Sequence, residues 1–99
     1  MAAKESVKEQ TNIKIKIPKR YRVLIYNDDF TPMDFVVAVL EQIFQKEHAA
    51  AVQLMLSIHK GSYAVAGVYT RDIAETKARS ATAWAREEGY PLKVEAVRE

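Results

Sequence analysis

The chain of 99 residues has no cysteine, and only three glycines, three prolines and one tryptophan. Without thiols there can be neither a disulfide nor a thiolate-bound metal, so ordinary packing must hold the fold. Nothing in the composition marks an oxidising compartment. The glycines, at 61, 67 and 89, are too scattered to build a phosphate-cradling loop, and no serine stands in a nucleophile elbow. Long apolar runs are missing too. Charge interrupts every stretch well short of the roughly 20 residues that cross a bilayer, and no continuous apolar segment of the signal-peptide kind opens the sequence. A cytoplasmic protein without membrane contact is the expectation. Nor is there an excess of one charge: fifteen basic against thirteen acidic residues leave +2. Basic and aromatic residues do not interleave on any predicted face, so no nucleic-acid partner is expected.

What is present is enough for one domain. A hydrophobic content of 48% over this length supports a single small core. Residues 1–19, with Lys4, Lys8, Lys14, Lys16 and Lys19 and few large apolar side chains, read as a flexible N-terminal extension, and Ile13, Ile15 and Ile17 alternate with lysines without an obvious partner. Residues 20–99 read as the core domain. Tyr21–Tyr26 is aromatic and β-branched and stops at Asn27-Asp28-Asp29, which predicts a first strand. In Thr31-Pro32-Met33-Asp34 a capping threonine, a proline at the first helical position and an acid three residues after the cap open a helix. Its stripe of Phe35, Val36, Val39, Leu40, Ile43 and Phe44 carries it to about Lys46.

A second helix spans about His48 to His59, with Ala51, Leu54, Met55 and Ile58 on one face and Gly61 as a left-handed stop. Ser62–Tyr69 reads as the second strand. Thr70 caps a third helix that buries Ile73, Ala74, Ala81, Trp84 and Ala85 and is closed by Gly89 and Pro91. Leu92–Val97 alternates as the last strand. The order β-α-α-β-α-β predicts an α/β (α+β) sandwich, a three-stranded, mostly antiparallel sheet with three helices on one face.

Polar side chains converge at Asn27-Asp28-Asp29-Phe30-Thr31, where a strand ends just ahead of a helix. The plainest role for Asp28 and Asp29 is to satisfy the turn and the helix N-terminus. Met55 and His59 are four residues apart and share one helical surface with Ile58 beside them. Such a histidine is more often structural or solvent-facing than a ligand, and Met33, Met55 and Ile58 would ordinarily be core. Two aspartates and a histidine also admit a metal or acid–base chemistry, but there is no HExxH and no acid spaced with His59 on its helix. No catalytic residue, metal or cofactor is expected.

The run YRVLIYNDDFTPMDFVVAVLEQIF, the helix ending QLMLSIH and the stretch AVAGVYTRDIAETK together resemble the ClpS adaptors, over about Arg20 to Leu92. The resemblance implies a non-enzymatic adaptor that binds N-degrons, proteins beginning with Leu, Phe, Tyr or Trp, and passes them to a Clp AAA+ ATPase of the ClpA or ClpC type through that ATPase's N-terminal domain; a monomer would suit that role. It implies that Asn27, Asp28, Asp29 and His59 receive the substrate's α-amino group. It also implies an apolar pocket of Met33, Val36, Met55, Ile58 and Leu92, with Thr31 near the entrance and Met33 as a gate against β-branched residues. Ile58 stands where many members have valine. ATPase docking is implied for Tyr69, Asp72 and Lys77, Asp72 standing where a glutamate is common, and the extension is the part engaged during delivery. The competing readings are a small metal-dependent hydrolase using Asp28, Asp29 and His59, and an interaction domain, since the same element order resembles the C-terminal domain of the ribosomal stalk protein.

Overall fold

The computed structural model describes residues 17–99. Its elements run β1 Arg20–Tyr26, α1 Met33–Gln42, α2 His48–Lys60, β2 Tyr63–Thr70, α3 Arg71–Glu87 and β3 Val94–Arg98. The sheet order is β2-β1-β3 with both pairings antiparallel. This is the predicted α/β sandwich. The Ile13 and Ile15 of the expected extension lie outside the described residues; Ile17, Pro18 and Lys19 precede β1 without regular structure.

β1 lies at the centre, paired on both edges, and its Val23 and Ile25 are wholly buried. Its register with β2 slips between Val23, opposite Gly67, and Leu24, opposite Val65, so Ala66 is the extra residue of a bulge. A side chain at Gly67 would collide with the Tyr69 ring and its hydroxyl oxygen. Glycine there lets that ring lie back over the strand.

α3 spans all three strands, α2 packs on β2, and α1 packs on α2. Close approach of α3 rests on Ala74, Ala78, Ala81 and Ala85, a row of small side chains at alternating four- and three-residue spacing. Phe35 fills the space this leaves, edge-on to both Trp84 and Tyr90 with ring centroids 4.9 Å apart in each case.

Four local expectations are corrected. Ile73 is 49% exposed rather than buried, because the alanine row occupies the sheet-facing side of α3. Helix α1 is capped at Pro32, whose carbonyl accepts from the N–H groups of Phe35 and Val36. The Thr31 hydroxyl is given to Asp28 instead. α1 also ends earlier than Lys46: Gln45 turns left-handed at φ 53°, and the Lys46 N–H reaches back to the Leu40 carbonyl. Gly61 is extended, at φ −103° and ψ −154°, as the chain passes directly from α2 toward β2; the left-handed glycine is Gly89, after α3.

Candidate functional site

The site begins where β1 runs out. Tyr26 and Asn27 make the last backbone bonds of the strand, donating to the carbonyls of Lys93 and Ser62. The chain then folds around Asp28. One carboxylate oxygen accepts from the N–H groups of Phe30 at 2.8 Å and Thr31 at 2.7 Å, and the other accepts from the Thr31 hydroxyl at 2.8 Å. This Asx-type turn sets the direction in which α1 starts. Partial burial pushes the Asp28 carboxyl up, but the two N–H bonds, the Thr31 hydroxyl and the nearby charge of Arg86 outweigh it, and the group is held below the usual aspartate range.

With Asp28 turned into the loop, its neighbours are left free. Asn27, Asp29 and His59 are exposed, and none takes up a side-chain hydrogen bond among the described residues. They meet at one cavity of about 340 Å³, a volume suited to a small ligand or one large side chain. The loop supplies its polar wall, from Asn27 to Thr31. The helices supply the apolar one: Met33 and Val36 one turn apart on α1, and Met55, Ile58 and His59 one turn apart on α2. Val36 and Ile58 belong to the core and form the floor; Met33, 43% exposed, stands at the rim.

All the sequence-predicted pocket residues except Leu92 meet here. Leu92 is 1% exposed and lies in the core, away from the cavity wall. Its carbonyl, with that of Tyr90, accepts from Arg86 Nη1 at 3.0 and 2.8 Å. Phe30, 78% exposed, and Pro32 also line the cavity and were not singled out from the sequence. Their place inside the polar run was the available signal. For Arg86 there was none, since it reaches Asp28 only through the fold.

On the opposite flank, Tyr69 and Lys77 come together. Lys77 Nζ donates to the Ile43 carbonyl at 2.6 Å and to Gln45 Oε1 at 3.0 Å, and lies 5.9 and 5.4 Å from the ring centres of Phe44 and Tyr69. It thereby closes the C-terminus of α1. Burial raises the Tyr69 hydroxyl above the usual tyrosine value. Asp72 is exposed in the first turn of α3 and shares no hydrogen bond with either. Among the described residues no three His, Asp or Glu side chains gather to hold a metal, and no helix is long and apolar enough to cross a membrane.

Comparison with known proteins bears on the same residues. The family model described as ATP-dependent Clp protease adaptor protein ClpS matches residues 16–95. The ATP-dependent Clp protease adapter protein ClpS of Deinococcus radiodurans is 56% identical over 79 residues, covering 80% of this chain and 70% of that protein. Its counterpart from Burkholderia mallei is 48% identical over 88 residues, covering 89% and 85%. Among solved structures, Agrobacterium tumefaciens ClpS2 bound to L-phenylalaninamide superposes with a TM-score of 0.82 at 41% identity, over 84% of this chain and all of that one. Family model, relatives and fold cover both the strand-to-helix loop and the α2 wall of the cavity, and on that evidence this chain belongs to the ClpS family of adaptors for the ATP-dependent Clp protease.

Proposed function

We propose that the cavity binds the free N-terminus of a protein whose first residue is Leu, Phe, Tyr or Trp, and that the chain delivers such substrates to a Clp AAA+ unfoldase. The observation that carries this reading is the pairing of uncommitted acceptors, Asn27, Asp29 and His59, with an apolar slot between α1 and α2. A free α-amino group titrates near 7.7–8.0, so at neutral pH it is mostly an ammonium with three donors. An amide oxygen, a carboxylate and an imidazole nitrogen match those donors, and the charge-assisted bond to Asp29 is of the stronger kind. Asp28 acts by holding the loop and adding negative charge beside it. The first side chain enters among Met33, Val36, Met55 and Ile58, where burial of a Leu or Phe is worth about 1.5–3 kcal/mol. L-phenylalaninamide, the compound bound to the Agrobacterium relative, carries both features, a free amine and an aromatic side chain.

Selectivity follows from coupling the two halves. An internal hydrophobic residue would fill the slot but leave dehydrated acceptors unpaired. Met33 at the rim excludes side chains branched at Cβ, and Thr31, tied to Asp28, shapes the entrance. Leu92 contributes from behind, supporting the floor. No bond is made or broken; the chain works by binding, as a monomer, without metal or cofactor. For delivery, Tyr69, Asp72 and Lys77 form a docking face for the N-terminal domain of a ClpA- or ClpC-type ATPase. Lys77 holds Tyr69 and the α1 terminus in place while Asp72 offers free charge. Residues 1–19 serve as the extension that the ATPase engages.

The test is fluorescence-anisotropy binding of a Phe-initiated peptide beside its Nα-acetylated twin and an Ile-initiated counterpart. Binding of the free Phe amine alone is expected; equal binding of the acetylated peptide would refute N-terminal recognition.

A further inference from the structure

The chain has three methionines. One is Met1; the other two, Met33 and Met55, both line the cavity, from α1 and from α2. Met33 is 43% exposed although its thioether has no polar partner to seek in water, whereas Met55 is half-buried. With no cysteine in the sequence, these are the soft sulfur atoms among the described residues, and Met33 is the more accessible of the two.

We infer that Met33 is a modification site for peroxide-class oxidants, and that its sulfoxide closes the cavity to hydrophobic N-termini. The inference rests on the binding reading above. In the reaction the Met33 sulfur attacks one peroxide oxygen. The O–O bond breaks, the sulfur is oxidised by two electrons as the S=O bond forms, and the leaving hydroxide takes the proton of the attacked oxygen and departs as water. The product is a polar, chiral group with a strong acceptor oxygen in place of a flexible apolar wall. Val36, Met55 and Ile58, its apolar companions on the cavity wall, carry no donor for that oxygen. A leucine or phenyl side chain entering the slot would therefore strip water from the sulfoxide without replacing the lost hydrogen bond. The thioether's adaptability, which lets one wall receive Leu, Phe, Tyr and Trp, is lost at the same step. Methionine sulfoxide is enzymatically reducible, so the change is reversible. The bound first residue, lying against Met33, shields it, so a loaded adaptor resists what an empty one does not.

The experiment treats the full-length protein with hydrogen peroxide, maps sulfoxides by peptide mass spectrometry and measures anisotropy binding of a labelled Phe-initiated peptide. Expected is oxidation of Met33 ahead of Met55, an affinity loss of about tenfold to a hundredfold, the scale set by one unpaired polar group in a recognition slot, and recovery with methionine sulfoxide reductases. Saturating free-amine peptide should slow Met33 oxidation while its acetylated twin does not. Unchanged affinity at complete Met33 oxidation would overturn the inference. So would a Met33→Leu variant that, measured against its own untreated affinity, loses as much on peroxide treatment as the parent. Failure of the untreated protein to bind the peptide would instead overturn the N-terminal reading itself, and the inference with it.

Discussion

Asp28 separates two ways in which a carboxylate can serve a binding site, as a ligand or as the residue that holds the ligands. Three hydrogen bonds end on it, from two backbone N–H groups and the Thr31 hydroxyl. At about 0.5–1.5 kcal/mol each, and with the Phe30 bond discounted because it is exposed, their loss in Asp28→Ala comes to about 2 kcal/mol. In a domain of this size about 1 kcal/mol moves Tm by roughly 4–8 °C, so the alanine variant should melt about 8–16 °C lower. Asp28→Asn keeps an oxygen for both N–H groups, and its amide donates to a Thr31 hydroxyl that reverses its role; it should melt within about 4 °C of the parent. Affinity for a Phe-initiated peptide should follow the loop. The alanine variant should lose tenfold or more as Asn27 and Asp29 go out of position, while the asparagine variant should lose only about threefold for the missing charge. Differential scanning fluorimetry and anisotropy on the same samples give both quantities. The acid limb adds a check on sign. Because the folded carboxyl lies below its usual value, its contribution to stability is complete above about pH 4 and is lost as pH falls through the unfolded value and then the lower folded one. Asp28→Asn should flatten that limb. Equal affinity losses in both variants, with Asp28→Asn melting like the parent, would make Asp28 a direct ligand of the amine and refute the loop-holding argument.

Lys77→Met removes two donors from the end of α1 while keeping the aliphatic stem, and thermal melting should show a loss of about 1–2 kcal/mol; an unchanged Tm would mean that the ammonium is free for a partner. Gly67→Ala forces the Tyr69 ring off β2, since the new methyl would collide with it, so pull-down by a Clp ATPase N-terminal domain should weaken while peptide affinity stays. Retention of full docking would remove Tyr69 from that face. Ile58→Val deepens the cavity floor by one methylene, worth about 1 kcal/mol of discrimination; competition binding should shift preference from Leu toward Trp, and an unaltered ranking would show that Ile58 does not set the depth.

Much of this could be read from the residues because local rules and global packing agree. Asn27-Asp28-Asp29 stops a β-branched strand, the four-residue spacing of Met55 and His59 puts both on one helical surface, and the element order follows from where the turn formers stand. Two of the misreadings show what a local pattern leaves out. The Thr31 hydroxyl suits a helix cap, but Asp28 three residues earlier binds it first, and the carbonyl of Pro32 serves the helix. Ile73 has the apolarity of a core residue, yet α3 lies so close to the sheet that only alanines fit beneath it.

Sequence alone therefore determined the periodic elements, their order and the two short segments that bear chemistry, because hydrophobic spacing and turn chemistry act over a few residues. Tertiary structure decided that α1 and α2 close on a cavity at the end of β1 and that Leu92 lies behind it rather than on its wall. It also decided that Lys77 is committed to the α1 terminus and that Arg86 bears on Asp28. Those are contacts between residues tens of positions apart, and only the packed chain brings their atoms within a few ångströms.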